Sequence, residues 1–127
     1  MEFQNIDEHV LAMIEMASRE PPMPISSDDV LGWVGSLSNH DFFSSVGLRI
    51  ARKYRAGTVN YSVCDSIMND LWSVLVGHLE EHALPSPFYE IYIAFDAGEY
   101  HRMADYSDVP ERDYTVPMID NILRNFP

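Results

Sequence analysis

The chain has 127 residues, 46% of them hydrophobic, which is enough for one domain with its own core and excludes an intrinsically disordered protein. Twenty acidic residues against eight basic ones give a net charge of −12, which disfavours binding to nucleic acid or to an anionic membrane surface. No apolar stretch reaches the roughly 18 residues of a membrane span, the first residues do not resemble a signal peptide, and a single cysteine permits no internal disulfide, so we expect a cytoplasmic monomer.

The first helix is predicted over about 6–19, where apolar residues recur at steps of three and four. Asn5 and Glu8 resemble a capping box at its start, and the prolines within 21–24 end it. Serines at 26–27 predict the start of a second helix, because a short side-chain oxygen can accept an unpaired backbone N–H there.

A third helix is predicted to begin at Ser38 or Asn39 and to end at Gly57, a typical residue just past a helix C-terminus. Its last two turns hold a basic cluster, and residues 38–57 carry a net charge of +3 in an otherwise acidic chain. Cations there favour the negative end of the helix dipole, so solvation, or bonds to acidic parts of the same domain, explain the cluster better than a phosphate site does.

The longest helical pattern runs from 58 to 82, with Asn60 or Thr58 as its cap. A wide apolar stripe marks one face, at Tyr61, Cys64, Ile67, Met68, Leu71, Trp72, Leu75 and Leu79. A stripe this wide has to be covered on both flanks. The sequence therefore predicts an all-α, single-domain bundle over 1–127, with five or six helices around this long central helix.

After this helix the break at 83–87 precedes a stretch that fits either a helix or a strand. Ser86 as cap and Pro87 as first residue favour a helix from Phe88, although residues 89–96 also alternate like a strand. An irregular connection is expected over 103–113, followed by a last helix capped by Thr115.

No motif points firmly to catalysis. His78 and His82, with Glu81 beside them, match the inverted zinc-protease pattern H-x-x-E-H, since both imidazoles share one helix face. A small metal-dependent hydrolase is therefore an alternative, but histidines in the last turn of an acidic helix are explained better by the helix dipole. Cys64 lies on the apolar face, where burial makes a thiol unreactive. We expect a protein that is not an enzyme and needs no cofactor or metal.

The acidic and tyrosine-rich C-terminal half is the candidate partner-binding surface. Tyrosines are common interface anchors, and acids around them complement a basic partner. The acids are expected to be solvated and to contribute little to the fold. The candidate residues are Asp96, Glu99, Tyr100, Asp105, Tyr106, Asp108, Glu111 and Asp113.

Three segments, YSVCDSIMNDLW (61–72), YEIYIAFDAGEY (89–100) and YTVPMIDNIL (114–123), resemble immunity proteins of contact-dependent growth inhibition and related polymorphic toxin systems. The resemblance implies a cytoplasmic bacterial protein that neutralises a cognate toxin domain, often a basic nuclease, by stoichiometric binding. It carries no motif that maps residue by residue. An acidic helical adaptor with another partner fits the same sequence features.

Overall fold

The computed structural model describes residues 2–77 and 84–127, and the side chains of 5–77 and 84–127. Across these ranges the chain forms six α-helices and no strand, so the predicted all-α class is confirmed. A 3₁₀ turn, Ala97–Glu99, follows the fifth helix, and a π-helical turn, Glu111–Thr115, leads into the sixth. The helices are α1 (Glu2–Ala17), α2 (Ser27–Val34), α3 (Asn39–Arg55), α4 (Tyr61–Gly77), α5 (Phe88–Asp96) and α6 (Val116–Asn125).

Local capping explains where α2 and α3 begin. Ser26 Oγ accepts from the Asp29 backbone N–H at 3.1 Å, and the Asp29 carboxylate accepts from the Ser26 N–H at 2.9 Å. Ser38 Oγ accepts from the Asp41 N–H at 3.0 Å in the same way. Both predicted serine caps are confirmed. The capping box predicted at Asn5 is wrong, because α1 continues through that residue back to Glu2.

The long helix begins three residues later than predicted. Asn60 Oδ1 accepts from the Val63 N–H at 2.9 Å and caps α4, whereas the Thr58 hydroxyl donates to the Lys53 carbonyl and so completes the end of α3. Gly57, just past α3, has a positive φ of 78°, the left-handed conformation expected of a residue that ends a helix. The end predicted at 82 lies outside the described residues.

The apolar stripe of α4 lies inside the core. Its residues Cys64, Met68 and Leu71 are fully buried, and α4 packs against α1, α3 and α5. The third helix, α3, contacts α1, α4, α5 and α6. Burial of each large apolar side chain contributes roughly 1.5–3 kcal/mol, so the packing of α3, α4 and α5 supplies much of the stability. The largest fully buried side chains are Phe42, Phe43, Phe88, Phe95, Ile6, Met13, Ile50, Ile67, Met68, Leu71, Ile91 and Ile119.

The basic cluster at the end of α3 binds groups near both ends of the chain. Arg49 Nε lies 2.6 Å from Asp7 of α1, and Arg55 Nε lies 2.7 Å from Asp120 of α6. The Arg52 guanidinium donates to the carbonyl of Phe126 at 2.8 Å. These bonds confirm the expectation that the bases pair with acidic parts of the same domain.

The C-terminal helices differ from the prediction in their first turns. The stretch after Pro87 is helical and not a strand, but Ser86 does not cap it, because its hydroxyl donates to the Glu90 carboxylate. Thr115 does not cap α6 either: it is fully buried, and its hydroxyl donates to the Ala94 carbonyl at 2.7 Å. No described helix is long and apolar enough to cross a membrane.

Candidate functional site

The segment from Tyr100 to Val109, which we call the 100–109 loop, joins the 3₁₀ turn to the π-helical turn. Four large side chains stand out of it at steps of three: Tyr100 is 52% exposed, Met103 52%, Tyr106 71% and Val109 46%. Nine large hydrophobic side chains are exposed in the described part of the chain, and this loop holds four of them. Such a concentration of exposed apolar surface is typical of an interaction site.

Asp108 organises the interior of the loop. Its side chain is only 5% exposed and accepts three hydrogen bonds, from the Tyr114 hydroxyl at 2.6 Å, the Arg102 backbone N–H at 2.8 Å and His101 Nδ1 at 3.0 Å. Burial raises the pKa of Asp108, but the three hydrogen bonds together lower it by more. The pKa of this carboxyl group is therefore well below its usual value. The prediction that Asp108 is a solvated acid is therefore wrong, because this carboxylate is turned inward to bind the backbone.

Further contacts fix both ends of the loop. The Arg102 guanidinium lies 3.9 Å from the centre of the Tyr114 ring, a cation–π contact. Asp113 accepts from the Val109 N–H at 2.8 Å and pairs with Arg112 at 2.9 Å. Polar groups of the loop and of the π-helical turn that follows it therefore hold the loop in place.

Tyr106 is the only residue other than glycine with a positive φ, 57°, in the described part of the chain. A left-handed conformation costs a non-glycine residue roughly 1–2 kcal/mol, so the surrounding bonds must hold it there. The edge of the His101 ring packs against the Tyr106 ring at 4.9 Å, and Asp105 accepts from the Ser107 N–H at 3.1 Å. A strained backbone therefore presents the most exposed aromatic side chain of the loop to solvent.

Apart from Asp96, which is half-buried at the end of α5, the predicted site residues separate into two groups. Glu111 accepts from the Tyr54 hydroxyl at 2.6 Å, so with Asp108 and Asp113 it stabilises the fold. The expectation that these acids are solvated is wrong for Asp108, which is buried. Glu111 bonds Tyr54 of α3, whereas Asp113 bonds the nearby Val109 N–H. Glu99, Tyr100, Asp105 and Tyr106 remain exposed on the loop or beside it.

A second acidic group lies where α4 meets the 3₁₀ turn. Asp65 on α4 lies close enough to Glu99 for the two carboxyl groups to interact, and Asn69 Nδ2 donates to Glu99 Oε2 at 3.1 Å. Burial, and then the contact with Glu99, raises the pKa of Asp65 to about 7. Burial also raises the pKa of Asp96, with the charge of Glu99 adding to the shift. Sequence reasoning missed Asp65 because an acid at the edge of an apolar stripe resembles an ordinary surface residue.

The sequence analysis identified Tyr100 and Tyr106 among the exposed apolar residues of the loop but did not identify the other two. Met103 and Val109 complete a step-of-three pattern with Tyr100 and Tyr106, and this spacing in a polar connection was the available signal. The partial burial of Tyr92 also depends on the fold, since its ring stacks on Trp72 with the centroids 4.6 Å apart.

The structure describes only some of the residues considered for metal or thiol chemistry. Among them no group of three or more histidine, cysteine or acidic side chains could hold a metal ion, while His78 and His82 lie outside the described residues. Cys64 is fully buried, and burial followed by the nearby Asp65 charge raises its pKa to about 12. The prediction of a buried, unreactive thiol is confirmed.

Comparison of the chain with protein-family models, with curated proteins and with solved structures finds no match. The interpretation of the 100–109 loop therefore depends on its own geometry and chemistry.

Proposed function

We propose that this chain is a cytoplasmic immunity protein that binds a cognate bacterial toxin domain, a basic nuclease, and neutralises it by stoichiometric occlusion. One observation carries the proposal: the 100–109 loop exposes Tyr100, Met103, Tyr106 and Val109 while Asp108 holds its backbone from inside. A loop fixed before binding loses little conformational entropy on association, so its anchors yield more binding free energy.

The chemistry of the loop fits a protein partner. Tyrosine and methionine are enriched at interfaces, where an apolar ring with a polar tip fills a pocket and still satisfies its hydroxyl. Tyr106, 71% exposed in the free chain, is the expected anchor, and Tyr100 is the second. Residues whose truncation costs about 2 kcal/mol or more are usually such aromatic side chains.

The net negative charge of the chain favours a basic partner. The net charge of −12 attracts a cationic surface over long range and raises the rate of encounter. Exposed Glu99 and Asp105 flank the loop, and neither forms an ion pair with a described lysine or arginine. A nuclease that binds the phosphate backbone carries the complementary positive surface.

The proposal is tested by co-expression with the protein encoded by the neighbouring upstream gene, which we expect to contain the toxin domain. The wild-type chain is expected to restore growth and to form a one-to-one complex. Tyr106→Ala should weaken the complex by about 30-fold, which corresponds to roughly 2 kcal/mol. Leu31→Ala is the matched control, because Leu31 on α2 is 68% exposed and lies outside the loop.

Two results would contradict the proposal. The first is growth that the wild-type chain does not restore, with no complex formed. The second is an affinity that falls equally in the Tyr106 and Leu31 variants, which would place the interface away from the loop.

A further inference from the structure

The outward face of α5 is incompletely covered by the described chain. The helix buries Phe88, Ile91, Ala94 and Phe95 against the core, whereas Tyr89, Tyr92 and Ile93 on its other side are only partly buried. A groove of about 300 Å³ runs between α5 and α6. Its walls are mainly apolar, and its lining residues are Tyr89, Glu90, Ile93, Met118, Asn121 and Ile122.

An aromatic surface continues from this groove toward α4. Tyr89, which lines the groove, lies 5.6 Å from the Trp72 ring of α4. Trp72 in turn stacks on Tyr92 at 4.6 Å with the ring planes 11° apart. The three rings hold one another in place, so the surface beside the groove is fixed before any partner binds.

The charge around this surface has one sign on its α4 and α5 side. Helices α4 and α5 together carry four acidic residues and no lysine or arginine. Glu90, exposed in the groove wall, accepts a hydrogen bond from Ser86 and has no ion-pair partner in the part of the chain that the structure describes. On the α6 side Arg124 donates to Asn121 at 3.3 Å, so a base lies at that edge.

We infer that the α5–α6 groove binds an amphipathic α-helix with basic flanks, presented by the partner protein. Its apolar side chains would lie between Ile93 and Ile122, in the way that a third helix packs into the groove of a helix pair. Its lysines or arginines would face the carboxylates of Glu90 and Asp96 and the faces of the aromatic rings, both of which attract cations. The identity of this partner as a toxin rests on the proposed function.

Electrostatic repulsion disfavours two other occupants of the α5–α6 groove. An acidic helix would place like charges against α5, which has two acidic residues and no basic one. A second copy of this chain, packed α5 against α5, would meet the same repulsion. A basic helix is the occupant that complements both the apolar lining and the charge.

The test uses the full chain and three synthetic helical peptides, followed by fluorescence anisotropy. The first peptide is an amphipathic leucine–lysine sequence with leucine at helical spacing. The second has the same composition in scrambled order, and the third replaces lysine with glutamate. We expect the amphipathic leucine–lysine peptide to bind at least about tenfold more tightly than either control, because it alone matches both lining and charge.

Groove variants locate the binding. Ile93→Ser and Ile122→Ser should each weaken the binding of the amphipathic peptide by about tenfold, since the removal of an apolar side chain from a desolvated groove reduces affinity by roughly that factor. Leu31→Ser is the matched control on α2, where the side chain is 68% exposed. Glu90→Lys is a second, exposed variant that should weaken binding even if a serine variant melts at a lower temperature.

The inference is overturned if the scrambled peptide binds as tightly as the amphipathic one, or if no groove variant differs from Leu31→Ser. Self-association in light scattering that Ile93→Ser abolishes would also overturn it, because a second copy would then be the occupant. Peptide binding without neutralisation of the toxin would remove the proposed function and leave the groove, and neutralisation without peptide binding would do the reverse.

Discussion

Replacement of Asp65 by asparagine tests the electrostatics of the contact between α4 and the 3₁₀ turn. In the folded protein burial and the Glu99 carboxyl raise the pKa of Asp65 from 3.8 to about 7. Between those two values the folded state holds a proton that the unfolded chain has lost. Stability therefore falls as the pH rises through this window, and the contribution is fully lost above about pH 7.

The size of the effect follows from the shift. Each pKa unit corresponds to about 1.4 kcal/mol, so a shift of about three units sets an upper bound near 4 kcal/mol. Asp65 is still partly exposed, so solvent screening lowers the expected value to about 2 kcal/mol. Asparagine copies the neutral carboxyl group. Asp65→Asn should thus stabilise the protein by about this amount at alkaline pH and by almost nothing below about pH 4.

The measurement is urea unfolding of both proteins at several pH values between about 4 and 8, with the difference in unfolding free energy plotted against pH. Glu90→Gln removes the same charge from an exposed position on α5 and should show no such slope. An Asp65→Asn protein that is less stable than the wild type at alkaline pH would refute the reasoning. It would mean that the folded state stabilises the ionised carboxylate of Asp65 and needs it as an acceptor.

Three further predictions follow from the packing and the charge. Leu75→Ala removes a side chain of α4 that is 2% exposed, so urea unfolding should show a loss of about 2–5 kcal/mol, and a loss below about 1 kcal/mol would mean that the stripe is loosely packed. Gly98→Ala should lower the melting temperature, because its added methyl group would overlap the hydroxyls of a neighbouring threonine and tyrosine; Gly32→Ala, with nothing within 4 Å, should not lower it. Neutralising Glu99 and Asp105 together should slow association with the toxin and flatten its dependence on salt in stopped-flow experiments, and an unchanged rate would place the electrostatic contact elsewhere.

Features that depend only on neighbouring residues along the chain were predictable from the sequence. Serine caps at Ser26 and Ser38 and the positive φ at Gly57 are set by groups within a few residues, so their types and spacing predicted them. The stripe of α4 was predictable for the same reason, since helical periodicity decides which side chains share a face. These local rules were enough for the all-α class and for the buried face of α4.

Predicted helix boundaries were wrong where a side chain typical of a helix cap forms a hydrogen bond to another helix. Thr115 has the residue type of a helix cap, yet its hydroxyl donates to the Ala94 carbonyl of α5. Thr58 likewise completes α3 instead of starting α4. A hydroxyl forms whichever hydrogen bond the packed chain offers it, and the sequence does not state which carbonyl will be near.

Which acids stabilise the fold and which face solvent depends on contacts formed in the folded protein. Asp105 and Asp108 lie three residues apart in the same polar loop, but Asp105 is exposed and Asp108 is buried beneath Tyr114 and Arg102. The role of a carboxylate depends on the donors that surround it in space and on how much water it loses. Those donors come from backbone and side chains that meet only when the loop closes, so composition predicted an acidic, tyrosine-rich surface, and the fold selected the residues that form it.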